Sequence, residues 1–321
     1  MESNLNQNPH FSEAVVLEKP NKLGLKTLQM QEVKSDEILV DIEHSGISTG
    51  TERLLYEGRM PDFPGMGYPL VPGYESIGTV EKSGSKSGFL PGEKVFVPGA
   101  KCFGNFKSLF GGTASKLVVS SERVCKVPDE TGEEGSLLAL AATAHHVFSD
   151  DVTCKPNIIV GHGALGRLIA KIAVLKGVKP IVIEANKERR KGNFEYEVIS
   201  PLESKKLTGG CVVDASGDSS QLNDLIKFLK PQGEIVLAGF YDKPLSFDFA
   251  PAFLREAKIR VSAQWTPRDL KEVSALFTTK KINFEDLISH RVSVNSISQA
   301  YETAFNDSSC LKMIINWKGL S

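Results

Sequence analysis

A chain of 321 residues is long for one hydrophobic core and suits two domains of ordinary size. Its 41% hydrophobic and 24% charged residues match those of folded soluble proteins, which excludes disordered and fibrous classes. Lys plus Arg (38) balances Asp plus Glu (39), so no overall field draws the chain onto nucleic acid or an anionic membrane.

The N-terminus, MESNLNQNPHFSEAVVLEKP, lacks the basic-then-apolar pattern of a secretory signal, and no run of about 18 apolar residues follows it. A cytoplasmic protein is expected. The five cysteines, Cys102, Cys125, Cys154, Cys211 and Cys310, are far apart with no CxxC pair, so reduced, mostly buried thiols are expected. From Ala14 to about Pro128, short β-type runs such as EILVDIEHSG, ESIGTVEKSG and EKVFVPG are broken by glycine and proline, which predicts a compact, mostly antiparallel β-domain. Its longest irregular stretch, Ile47 to Pro72, is too rich in Gly, Pro and polar residues to be filler, and long ordered loops usually carry function.

After Pro128 the rhythm becomes strand, helix, strand. GSLLALAATAHHVFSD reads as a helix, NIIVG as a strand, ALGRLIAKIAVLKG as an amphipathic helix closed by Gly177, and PIVIE as a second strand. CVVDASG, the helix SSQLNDLIKFLK ended by Pro231, the strand GEIVLAGF, the helical APAFLREA and the strand KIRVSAQW continue the alternation, which predicts an α/β fold with a doubly wound parallel sheet. Near Ile288 the pattern stops, and the last strand, LKMIINW, is expected to return to the first domain.

In NIIVGHGALGRLIA the glycines fall at 161, 163 and 166, between an apolar strand and an amphipathic helix, and that context makes the match specific. Gly161 permits the tight turn, Gly163 lets the backbone approach a pyrophosphate, and Gly166 lets helix and strand pack closely. With His162, Ala164 and Leu165 they form the predicted dinucleotide turn. Glu184 ends the second strand where an acid binds the adenosine ribose and repels a 2′-phosphate, which favours NAD over NADP, although Lys187, Arg189 and Arg190 offer positive charge for a 2′-phosphate. Ala215 and Gly239 end later strands at the carboxyl edge, where ligands bind, and Asp214 beside Ala215 reads equally well as a capping residue.

A β-rich domain, a nucleotide domain and a C-terminal return together resemble the medium-chain dehydrogenase/reductase superfamily over nearly the whole chain. The resemblance implies a GroES-like catalytic domain of residues 11–130 and 288–321 and a Rossmann NAD-binding domain of residues 131–287. Its three catalytic zinc ligands would match Ser48 in SGIST, Tyr74 in PGYES and about Ala139 in LLALAATAHH, and Ser and Tyr are poor zinc ligands at neutral pH. Glu75 remains but cannot hold a metal alone, so a zinc-free site is expected. Alcohol oxidation then needs a side chain to take the hydroxyl proton. Ser48, Thr49, Thr51, Glu52, Tyr74 and Glu75 are candidates, with His145 at the family's nicotinamide-facing position and His146 pointing about 100° away from it on the same helix. Tyr74 reads equally well as a packing tyrosine with its hydroxyl capped.

Within the superfamily, SGISTGTERLLYEGRMPDFPGMGYPLVPGYESIGTV, LFGGTASKL and IIVGHGALGRL are similar to a subgroup that acts on chlorophyllide-type tetrapyrroles. That resemblance implies oxidation of a 3-(1-hydroxyethyl) side chain to 3-acetyl, with NAD as acceptor. Met60, Phe63, Met66 and Tyr68 are candidates for one wall of a groove for the flat macrocycle, or else fill a domain corner, and Arg53 or Arg59 would hold its propionate. A homodimer through edge strands and a transient contact with a membrane or a pathway enzyme are further expectations. The alternatives are a zinc-independent quinone or enoyl reductase, against which Glu184 speaks, and a non-catalytic nucleotide sensor.

Overall fold

Eleven residues, EILVDIEHSGI, form the strand Glu37–Ile47, buried on both faces along most of its length, and one of the chain's two units is built around it. The computed structural model describes residues 10–62, 64–148 and 155–318. The chain divides into one unit of Met1–Leu137 with Ile288–Ser321 and another of Leu138–Leu287.

In the first unit, Glu37–Ile47 pairs antiparallel with Ser76–Ser83 on one side and with the C-terminal strand Met313–Asn316 on the other, and Lys116–Ser120 joins its first half. The branched residues Ile38, Val40, Ile42, Val80 and Ile315 meet in the core of this sheet, and Trp317 closes it. A second sheet begins with the hairpin Phe11–Lys19 and Lys22–Gln29, whose turn places Asn21 in the left-handed region at φ 60°, a conformation asparagine tolerates. The long stretch after Ile47 is not wholly irregular. Thr51–Glu57 is a short α-helix stopped by Gly58 at φ 70°, and its Leu54 and Leu55 pack with Leu17, Met60, Leu70 and Leu109. Seven residues give too few turns for a periodic signal, so packing makes this helix.

The second unit is a six-stranded, wholly parallel sheet in the spatial order Glu197–Ile199, Ile181–Ile183, Ile158–Val160, Gly209–Asp214, Leu229–Leu237, Lys258–Val261. Counted within the unit this is 3-2-1-4-5-6, the doubly wound order whose direction reverses between Ile158–Val160 and Gly209–Asp214. Pro231 does not end a helix, as the sequence suggested. The helix Leu222–Phe228 stops three residues earlier, and Pro231 lies inside Leu229–Leu237 where the register to Gly209–Asp214 shifts, so its missing N–H falls at a break in the ladder. Between Glu184 and Asp214 the chain forms the strand Glu197–Ile199 and the 3-10 turn Glu203–Lys206, with no α-helix.

Cys102, Cys125 and Cys310 are not in disulfides, whereas Cys211 is disulfide-bonded, which corrects the expectation of reduced cysteines. Spacing along the chain does not reveal which thiols the fold brings together. Cys154 lies outside the described residues. Among the described residues no helix is long and apolar enough to cross a membrane.

Ile315, fully buried on the C-terminal strand, ties the end of the chain into the first unit. Ile315→Ala is expected to cost about 2–5 kcal/mol in urea unfolding, and a loss under 1 kcal/mol would show that the strand adds little to the unit's stability.

Candidate active site

In the second unit, Ile158–Val160 leads into Gly161 at φ 97°, whose N–H donates to Ile183 O at 2.9 Å. A Cβ on Gly166 would lie 1.9 Å from Gly161 O, so only glycine lets the helix Ala164–Leu175 close onto the turn. Gly163 is the N-cap of that helix and carries no side-chain cap. Ala164 and Leu165 open its first turn, whose amides suit a phosphate group. Ala215 N–H donates to Val160 O at 2.8 Å, and Ala238 and Gly239 both donate to Asp214 O, so the tips carrying Ala215 and Gly239 are joined beside the turn. Asp214 serves this joint: Ser216 and Tyr241 hydroxyls donate to its carboxylate at 2.6 and 2.7 Å.

Glu184 is almost fully buried. One oxygen accepts the His162 N–H at 2.7 Å, and the other accepts the Asn186 N–H at 2.6 Å. Arg190 donates to Glu184 O and Ala185 O, both at 2.8 Å, and Arg189 Nη1 lies 3.9 Å from where a Gly163 Cβ would stand. The sequence placed His162 in the turn without a task. Its fully buried imidazole pairs Nδ1 with Arg189 O at 2.8 Å and Nε2 with the Tyr196 hydroxyl at 2.9 Å, edge-on to Phe194. Burial pushes its pKa down to about 4, so at neutral pH the ring is uncharged, with Nδ1–H donating to the carbonyl and Nε2 accepting from the tyrosine. His162 thereby fastens residues 189–196 onto the turn.

His145 and His146 leave the helix Leu138–His146 about 100° apart, yet both reach one carboxylate: their Nδ1 atoms lie 2.9 and 2.8 Å from the two oxygens of Asp269. His145 Nε2 is also 3.2 Å from Glu272. Asp269 closes a capping box with Thr266 at the head of Pro267–Thr278. Inside its unit, His145 therefore braces two helices with both ring nitrogens.

In the first unit the ends of two neighbouring strands bring Ser48, Thr51 and Tyr74 together. Tyr74 Oη donates to Ser48 Oγ at 2.6 Å, and Thr51 Oγ1 lies 3.2 Å from Tyr74 Oη and 3.4 Å from Ser48 Oγ. Thr49 beside them is half-buried. Burial, reinforced by the charge of Glu75, holds the Tyr74 hydroxyl well above its ordinary pKa, so it stays protonated. Glu75 is fully buried and accepts Lys312 Nζ at 2.8 and 2.6 Å. Glu52 accepts the Ser48 N–H at 3.0 Å and the Tyr301 hydroxyl at 2.8 Å. Its burial pushes the carboxyl up to about 7 against the pull of those hydrogen bonds.

Two neutral hydroxyls and a carboxylate already bound to lysine do not fit a catalytic zinc ion, and among the described residues no group of three or more His, Cys, Asp or Glu is placed to hold a metal. Arg53 and Arg59 both donate through Nε to Glu57 at 2.8 Å, so one carboxylate lies between two partly exposed guanidinium groups. Met60 is buried with Leu54 and Leu70 in a small cluster that gives the short helix its apolar floor. Tyr68 packs at the edge of that cluster and donates to Leu55 O at 2.5 Å, and Phe63 lies outside the described residues. Sequence reasoning missed Lys312, Tyr301, Tyr196 and Asp269. For Lys312 a signal existed, a cation opening the otherwise apolar strand LKMIINW.

A GroES-like β unit, a doubly wound parallel sheet and a glycine turn at its switch point define an alcohol dehydrogenase of the medium-chain class. Residues 34–129 match the alcohol dehydrogenase GroES-like domain and residues 164–279 the zinc-binding dehydrogenase domain. The chain belongs to the medium-chain dehydrogenase/reductase family, in the branch of the 2-desacetyl-2-hydroxyethyl bacteriochlorophyllide A dehydrogenases. It is 45% identical to the enzyme of that name from Cereibacter sphaeroides over 311 residues, covering 95% of this chain and 98% of the relative. To that from Rhodobacter capsulatus it is 44% identical over 309 residues, covering 96% and 98%. Among solved structures, L-idonate 5-dehydrogenase from Escherichia coli has a TM-score of 0.83 at 17% identity, covering 96% of this chain and 99% of that one. Galactitol-1-phosphate dehydrogenase from the same species has 0.81 at 21%, covering 95% and 100%, and both share the fold.

Glu52 predicts a pH dependence of stability. Its carboxyl is raised from an ordinary 4.5 to about 7, so between those values the unfolded chain has lost a proton that the folded chain keeps. Stability contributed by the protonated group is present below pH 4.5 and falls as pH rises towards 7, by about 3 kcal/mol for this one site. Glu52→Gln should flatten that stretch of the pH–stability curve in urea titrations, and an unchanged slope would rule the group out as its source.

Proposed function

We propose that the enzyme oxidises the 3-(1-hydroxyethyl) group of a bacteriochlorophyllide to 3-acetyl, with hydride passing to NAD and without zinc. The observation that carries the substrate is the likeness to the two bacteriochlorophyllide A dehydrogenases, which runs through 98% of their length. The reaction removes a hydride from the carbinol carbon and a proton from its oxygen. When bound, NAD supplies the hydride acceptor, and the residues suited to hold it are Gly161, His162, Gly163, Ala164, Leu165 and Gly166 at its phosphates, Glu184 at its ribose, and Ala215 and Gly239 at the neighbouring strand tips. Glu184 favours NAD because a second anion beside this buried carboxylate would be repelled.

Tyr74 and Ser48 take the proton step that a metal-bound alkoxide would otherwise ease. Tyr74 Oη donates to Ser48 Oγ, so its lone pair is oriented to accept the substrate hydroxyl hydrogen while its own proton passes to Ser48 Oγ and the hydroxyl proton of Ser48 leaves to a water molecule, which carries it to solvent. Thr51 supports the pair, with Thr49 adjacent, and Glu75 adds negative charge that keeps Tyr74 from ionising before substrate arrives. Arg53 and Arg59 supply positive charge for the pigment's propionate, in exchange with Glu57. The edge strand Lys258–Val261, with Ile259 and Val261 exposed, suits pairing with a second copy of the chain.

Chelator-treated protein incubated with NAD and 3-hydroxyethyl bacteriochlorophyllide is expected to give the red-shifted absorption of an acetylated macrocycle, with higher kcat/KM for NAD than for NADP. Absence of the shift would refute the substrate, and stoichiometric zinc that survives chelation would refute the metal-free mechanism. Tyr74→Phe and Ser48→Ala should each lower kcat about 10²-fold, with cofactor affinity unchanged. Full turnover in both would move the proton step elsewhere.

A further inference from the structure

The peptide joining Ile47 to Ser48 is gripped from both sides by buried charged or titratable groups. Its carbonyl accepts Lys312 Nζ at 3.4 Å, and its N–H donates to Glu52 at 3.0 Å. The same ammonium meets both oxygens of Glu75, the residue after Tyr74. Lys312 thus spends its three N–H donors on the residue before Ser48 and the residue after Tyr74, so one buried cation spans the two strand ends that carry the hydroxyl pair. Lys312 is 2% exposed and Glu75 is fully buried. Apolar replacement of such a buried ion pair is often neutral or stabilising, so stability gives little reason to retain one here.

We propose that Lys312 is a positioning residue for the reaction, fixing the 2.6 Å approach of Tyr74 Oη to Ser48 Oγ by holding the neighbours of both. Glu52 holds the other face of the same peptide, and Tyr301 in turn holds Glu52. The proposal rests on the reading of Ser48 and Tyr74 as the proton path. A loss of about 1 Å in such an approach is enough to slow a reaction about 10²-fold without touching cofactor affinity.

The test compares Lys312→Met, Lys312→Arg, Ser48→Ala and the double variant Ser48→Ala/Lys312→Met in steady-state oxidation of 3-hydroxyethyl bacteriochlorophyllide, with NADH affinity read by fluorescence. Lys312→Met is expected to lower kcat about 10²-fold with NADH affinity within about twofold of the parent, Lys312→Arg to restore most of the rate, and the double variant to be no more than about twofold slower than Ser48→Ala alone. An unchanged kcat in Lys312→Met, or the same fractional loss with and without Ser48, would overturn the proposal. If Lys312→Met does not fold, Glu52→Leu, which removes the acceptor from the Ser48 N–H, takes its place: a fall in kcat that disappears in the Ser48→Ala background supports the clamp, and an unchanged kcat or a fall of equal size in both backgrounds overturns it. Full activity in Ser48→Ala would bring down the proton path and the clamp with it, whereas a slow Ser48→Ala beside a normal Lys312→Met leaves the path intact and removes the lysine alone.

Discussion

The first unit depends on a parting of strands that is mended by the end of the chain. Glu37–Ile47 has Ser76–Ser83 along one edge, and beyond its first half the other edge stays open until Met313–Asn316 pairs with residues 44–47. The residue entering that late strand is Lys312, so completing the sheet and delivering the cation are one event. A charge without a partner at this depth would be prohibitive, and Glu75 meets it at the sheet surface. The backbone ladder, the ion pair and the arrangement of Ser48 and Tyr74 therefore share one dependence.

The second unit is organised by a close approach and not by charge. Gly166 lies so near Gly161 O that the helix and the strand behave as one body, and the cofactor turn is their common edge. Between the second and third strands, Ile181–Ile183 and Glu197–Ile199, the chain runs as loop and turns in place of the usual helix, so the backbone near Glu184 needs another support. His162 gives it that support, with a neutral ring whose two nitrogens take opposite roles towards Arg189 O and Tyr196. The chain replaces an element of secondary structure with one buried imidazole and two aromatic rings.

Much of this architecture was legible in the sequence because it depends on periodicity and on glycine. The β-type runs before Pro128, the alternation after it and the turn at Gly161–Gly166 are local patterns, and the parallel six-stranded sheet follows from them. What escaped was set by contacts between distant residues. Thr51–Glu57 is helical because Leu54 and Leu55 find Leu17 and Leu70, which no window of sequence shows. Pro231 reads as a helix stop but lies in a strand at a break in register. Asp269, which gathers both histidines of the Leu138–His146 helix, is 123 residues from the nearer one. At the candidate site, Ser48 and Tyr74 were found by family resemblance, whereas Lys312, 237 residues from Glu75, declared itself only as an odd cation before an apolar strand.

Gly46 shows how a missing side chain can shape the charge of a site. A Cβ there would lie 2.3 Å from Glu75 Oε2, inside the space the carboxylate occupies. The volume that houses an anion where two strands end is the absent methyl group of the neighbouring strand. Alanine at position 46, the smallest change available, would act as an electrostatic substitution without altering any charged residue, because it would push the carboxylate off its lysine. The identity of this one position on a strand is thus bound to an ion pair whose members come from two other parts of the chain.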